Sequence, residues 1–123
     1  MARILIIDDD LDIIEASKVV LELDGHEILS ATSYDEGLKA ALDLKPDLLI
    51  LDVMMDEPDD GFKLAQDLRR RDFRTPIIML TSVSRVTGFE FKSDNELLPV
   101  DDFLQKPVDP GLLQQKVKEH LPK

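Results

Sequence analysis

With 123 residues the chain has the length of one ordinary domain, enough to bury roughly two thirds of its unfolded surface in a single core. Fifteen Lys and Arg against 26 Asp and Glu leave a formal net charge of −11, which disfavours nucleic acid and anionic membranes and favours metal cations or basic protein surfaces. Cysteine is absent, which excludes disulfides and thiolate metal sites, and there is neither a cationic apolar leader nor an apolar run near the ~18 residues of a membrane span. The expectation is one soluble, cytoplasmic domain over residues 1–123.

In chain order, the first apolar run is Arg3–Ile7, and it ends in three consecutive carboxylates, "LIIDDDLD". Like charges gathered where a buried strand ends cost stability unless something cationic sits among them. Ile13, Ala16, Val20 and Leu23 then recur at helical spacing, and Gly25 follows as a C′ residue should. A second strand is predicted at Glu27–Ala31, then a capping box of Ser33 with Glu36 opening a helix on Tyr34, Leu38 and Ala41. The third strand, Asp47–Leu51, runs into Asp52, and the next helix carries Ala65 and Leu68. The basic run 69–71 near its end reads as a solvated face that complements the helix dipole. After a fourth strand at Ile77–Thr81, "SVSRVTGFEFKSDNELLPV" breaks the pattern: Gly88 interrupts the helical period and Phe89 and Phe91 alternate as in an extended segment. A short or irregular element is expected there, with Thr87–Leu98 largely non-helical. A fifth strand at Phe103–Gln105 leads to Lys106-Pro107, and Asp109-Pro110 caps a last helix on Leu113, Val117 and Leu121. Strands alternating with amphipathic segments predict βα units and a parallel sheet.

In such a sheet, ligands sit beyond the carboxyl ends of the strands, where strand order reverses. The sequence places Asp8 and Asp9 after the first strand, Asp52 after the third, Thr81 at the end of the fourth and Lys106 after the fifth. A hard divalent cation such as Mg²⁺, taking one or two carboxylates, a backbone carbonyl and waters, neutralises the acidic group. Each residue also has a plainer reading. Asp10 or Asp12 suits a helix N-cap, Thr81 an ordinary strand position, Phe103 core, and Lys106 a salt bridge to a structural Asp. The joint occurrence of acidic pair, single Asp, Thr and Lys-Pro at successive strand ends favours a site.

From Arg3 to about Leu121 the chain resembles a response-regulator receiver domain of the chemotaxis type. The resemblance implies a doubly wound α/β fold with a five-stranded parallel sheet in flavodoxin-like order 2-1-3-4-5. It implies that Asp52 accepts a phosphoryl group from a histidine kinase or phosphotransfer protein. Asp9 and Asp52 would bind Mg²⁺ directly, Asp8 mainly through metal-bound water, and Met54 through its carbonyl. Thr81 and Lys106 would contact the phosphoryl oxygens, and Phe103 falls at the family's switch aromatic. The module would be a non-enzymatic, stand-alone switch, monomeric or weakly dimeric, without nucleic-acid contact, passing its signal to a downstream effector protein.

The chain departs from that pattern in two places. "DVMMDEPDDG" lacks the usual Pro after Met55 and reaches Gly61 one residue late, giving a longer and more acidic loop through Asp56, Glu57, Asp59 and Asp60. The Thr87–Leu98 segment does not read as the helix that receivers carry there. Two rival readings remain: a small phosphatase of haloacid-dehalogenase type using Asp8, which "DDDLD" suggests, and a flavin module on the same fold, which lacks a phosphate-cradling loop after the first strand.

Overall fold

The computed structural model describes residues 2–55, 60–82, 100–106 and 108–121. Five strands, β1 (Arg3–Ile7), β2 (Glu27–Ala31), β3 (Leu48–Asp52), β4 (Ile77–Ser82) and β5 (Asp102–Lys106), form one parallel sheet in the order β2-β1-β3-β4-β5. Four helices accompany them among the described residues: α1 (Leu11–Leu23), α2 (Tyr34–Leu44), α3 (Asp60–Arg70) and α4 (Pro110–His120). This is the doubly wound fold and strand order expected. The irregularity expected of Thr87–Leu98, the acidic loop residues Asp56, Glu57 and Asp59, and Pro107 lie outside the described residues.

The pleat divides the strand residues between two cores. Leu5, Ile7, Leu49, Leu51, Ile77 and Met79 face α2 and α3, packing with Ala41, Leu64, Ala65 and Leu68. Ile4, Ile6, Leu48, Ile50, Ile78, Leu80 and Leu104 face α1 and α4, packing with Ile14, Leu21, Leu113 and Val117. Burial on both faces explains why these strands read as continuous apolar runs rather than alternating ones.

Local signals set the helix ends. Asp10 caps α1 through Asp12 N–H, Ser33 caps α2 through Glu36 N–H, and Asp109 caps α4 through Leu112 N–H with Pro110 at the first turn. Gly25 stands at φ +89, the left-handed conformation that ends α1 and that a side chain would strain. The Glu36 side chain accepts from Thr32 N–H, one residue before the capping serine. At the other end of the sheet, the Asp102 carboxylate accepts from Lys116 and approaches His120 Nε2 at 2.8 Å, fastening α4 to β5.

The spacing of Ile13, Ala16, Val20 and Leu23 marks a helix that does form, but the residues it buries fully are Ile14, Ser17 and Leu21, with Ile13 packed partly buried beside them and Leu23 79% exposed. The helix carries apolar residues on two overlapping stripes, and packing against Ile4, Ile6 and α4 selects the one that includes a serine. The basic run is not wholly a solvated face. Arg69 is half-buried and donates to the carbonyls of Phe73 and Thr75 and to Asp101, whose carboxylate also accepts Ile77 N–H. It thereby joins the end of α3 to the entry of β4 and β5.

Candidate phosphoacceptor site

Parallel pairing brings all strand C-termini to one edge. Ile7 pairs with Leu51, Asp52 with Leu80, and Ser82 with Lys106, so Asp8, Asp52 and Lys106 arrive at neighbouring positions from residues far apart in sequence. By strand alternation these three continue the rows that face α1 and α4, whereas Thr81 continues the Ile77–Met79 row and Phe103 packs with the core on the α2–α3 face. The phosphoacceptor candidates and the two switch candidates thus lie on opposite sides of the sheet edge.

Lys106 Nζ lies 3.1 Å from Asp8 Oδ2 and 3.1 Å from Asp52 Oδ1. One ammonium therefore serves two buried carboxylates, Asp8 at 0% and Asp52 at 4% exposure. Burial and the charge of Asp8 push the Asp52 carboxyl up to about 6, against the opposing pull of Lys106 and the Met54 N–H. Burial alone would lower Lys106, but Asp52 and Asp8 outweigh it and hold the ammonium above its ordinary value. Asp8 Oδ1 accepts Asp10 N–H at 2.9 Å, while Oδ2, although beside the ammonium, accepts no aligned hydrogen bond among the described residues.

Asp9 is exposed, and one carboxylate oxygen from each of Asp8, Asp9 and Asp52 lies within 4.8 Å of the others. A cleft of about 200 Å³ opens beside them, lined by Asp9, Asp10, Asp52, Val53, Met54, Met55 and Lys106. An all-oxygen donor set with a net deficit of positive charge and a buried carboxylate oxygen lacking an aligned donor fits a hard divalent cation. Thr81 is buried at the end of β4, next to this edge.

Sequence reasoning placed Asp8, Asp9, Asp52, Met54, Thr81 and Lys106 at this edge, and the structure brings them there. It missed the part played by Gly61. An added Cβ at Gly61 would collide with the Asp52 carbonyl oxygen and stand 2.6 Å from Val53 Cα. The available signals were the match of Gly61, one residue late, to the glycine of the receiver pattern and the presence of a poor helix former in the first turn of α3.

Residues 4–118 match the response regulator receiver domain family. The chain is 34% identical over 120 residues to the alkaline phosphatase synthesis transcriptional regulatory protein PhoP of Bacillus subtilis, covering 94% of this chain and 47% of that protein. It is 39% identical over 116 residues to the DNA-binding dual master transcriptional regulator RpaA of Synechocystis, covering 89% of this chain and 44% of that one. The chain thus spans about half the length of the curated relatives it matches. Among solved structures, chemotaxis protein CheY4 of Vibrio cholerae superposes with a TM-score of 0.81 at 28% identity, covering 98% of this chain and 99% of that one. The receiver domain of Francisella response regulator 1452 gives 0.82 at 27% identity, covering 97% and 95%. The chain belongs to the response regulator receiver family, a class of phosphoacceptor signalling modules in two-component systems.

Proposed function

We propose that this receiver accepts a phosphoryl group on Asp52, in a reaction that depends on Mg²⁺, from a histidine kinase or phosphotransfer protein, and signals through a protein partner. The observation that carries the reading is the shared ammonium: Lys106 stands 3.1 Å from both Asp52 and Asp8 at one end of the cleft. Asp8, Asp9, Asp52 and the carbonyl of Met54 would hold Mg²⁺, which when bound neutralises the carboxylates and the charge that builds on the phosphoryl oxygens. Asp52, ionised at neutral pH, attacks the phosphorus; a P–O bond forms, the P–N bond of phosphohistidine breaks, and its electron pair stays with the departing imidazole. Because the attacking group is already a carboxylate, no general base is required, and the Met54 N–H and Lys106 orient it. Lys106 would bind the transferred oxygens, Thr81 would reach them from the other side of the sheet edge, and Phe103 is the candidate for reporting the change along β5.

The phosphatase reading has less support, because its nucleophile would be Asp8, which is fully buried and does not line the cleft, whereas Asp52 does. Neither the family match nor the site supports the flavin reading. A net charge of −11 favours protein partners over nucleic acid for the receiver itself. No helix among the described residues is long and apolar enough to cross a membrane. The test is labelling with a radioactive phosphodonor. Wild-type protein is expected to label with Mg²⁺ and not in chelator, and Asp52→Asn not at all; retained labelling in that variant overturns the assignment.

A further inference from the structure

Beyond the acceptor itself, the segment Asp52–Met54 carries three things the site needs: the nucleophile, the N–H that holds it, and a carbonyl offered to the cation. Its middle peptide groups are both engaged. Val53 N–H donates to Leu80 O at 2.9 Å, tying the segment to β4, and Val53 O accepts Gly61 N–H at 2.8 Å, tying it to the first turn of α3. The second bond forms only because Gly61 has no side chain. Its Cα lies so close to the end of β3 that a Cβ would overlap the Asp52 carbonyl oxygen and crowd Asp52 C at 2.9 Å. Both obstructing groups are backbone, so no side-chain rotation relieves them.

The helix cannot simply withdraw. Leu64, Ala65 and Leu68 anchor α3 in the core at 0% exposure, and one turn of retreat would unpack all three. The softer neighbour is the peptide at the end of β3, where regular pairing stops.

We infer that Gly61 is a positioning residue for the phosphoacceptor site: its contact-distance docking on Asp52–Val53 sets where the Asp52 carboxylate and the Met54 peptide stand relative to Asp8 and Lys106. This rests on the reading of Asp52 as acceptor. A methyl at position 61 moves the Asp52–Val53 peptide, and a displacement of about 1 Å at a reacting group is enough to lower function about a hundredfold.

The test compares Gly61→Ala with Leu68→Ala, a cavity variant in the same helix whose side chain does not line the cleft. Mg²⁺ affinity is read from amide chemical shifts, folding from thermal midpoints, and acceptor activity from labelling by acetyl phosphate. Both variants are expected to lower the midpoint. Only Gly61→Ala is expected to weaken Mg²⁺ binding and slow labelling by about tenfold or more, while Leu68→Ala keeps both within about a factor of two. Equal Mg²⁺ affinity in folded Gly61→Ala and wild type overturns the inference. A second measurement needs no variant. Mg²⁺ should slow hydrogen exchange of the wild-type Gly61 amide more than that of Leu68, because a bond that positions the site is reciprocally strengthened when the site is filled. Equal slowing at both amides overturns the inference as well. Wild-type protein that neither binds Mg²⁺ nor labels defeats the acceptor reading itself, an outcome distinct from either of these.

Discussion

At the scale of single residues, Asp52, the proposed acceptor, is held where its charged form is disfavoured. Burial and Asp8 raise Asp52 from an ordinary 3.8 to about 6, so between those two values the folded state holds a proton that the unfolded chain has released. Stability therefore falls as pH rises through that window and levels off above it, the reverse of an ordinary salt-bridged aspartate. The interval corresponds to roughly 3 kcal/mol, but Asn at position 52 also removes one of the two partners of Lys106. Metal-free Asp52→Asn is accordingly expected to be about 1–2 kcal/mol more stable than wild type at pH 7, with the advantage vanishing near pH 4. Denaturant unfolding across that range checks it. A variant less stable than wild type at pH 7 would show that the Lys106 pairing outweighs the cost of burying the charge.

At the scale of elements, α1 shows where one-dimensional reading stops. Its sequence, LDIIEASKVVLEL, offers adjacent apolar residues at 13 and 14 and at 19, 20 and 21, so helical spacing fits more than one face. The structure buries Leu21 fully and leaves Leu23 79% exposed. Leu21→Ala should therefore cost about 2–5 kcal/mol, whereas Leu23→Ala should stay within about 0.5 kcal/mol. Thermal or urea midpoints of the two variants decide between the stripes. The strands were legible to within about one residue at each end; in β1, β3 and β4 burial on both faces writes an apolar run directly into the chain, whereas the edge strands β2 and β5 are only partly buried and carry a shorter apolar core. Asp8, Asp52 and Thr81 were legible for the same reason, at the ends of such runs, whereas Lys106 was marked by the Lys-Pro that follows β5. What one sequence does not display is register. Pairing of Ser82 with Lys106 and of Ile7 with Leu51 is what lets one ammonium reach two carboxylates. The tight seat of Gly61 against β3 is likewise a tertiary fact, made of backbone groups that carry no residue-specific signal, and the clamp of Arg69 joins its guanidinium to the carbonyls of Phe73 and Thr75 and to the Asp101 carboxylate, partners that spacing along the chain does not reveal.

At the scale of the molecule, two electrostatic effects overlap and must be separated. A chain with 26 acidic and 15 basic residues repels itself when compact, and any salt relieves that repulsion by screening. A cation held by Asp8, Asp9 and Asp52 adds a second effect, since binding to the folded state alone stabilises it by about 2.7 kcal/mol at a hundred times the dissociation constant. At matched ionic strength, MgCl₂ is expected to raise the unfolding midpoint above NaCl. Asp9→Asn separates the two contributions. Asp9 is exposed, so its loss should leave the metal-free midpoint nearly unchanged, and the general salt effect should persist because ten of eleven net negative charges remain. The additional Mg²⁺ increment should shrink, because one of three converging carboxylates is gone. Identical midpoints in the two salts for the wild type would mean that the carboxylates only contribute to net charge, and the metal-dependent reading of Asp52 would lose its physical basis.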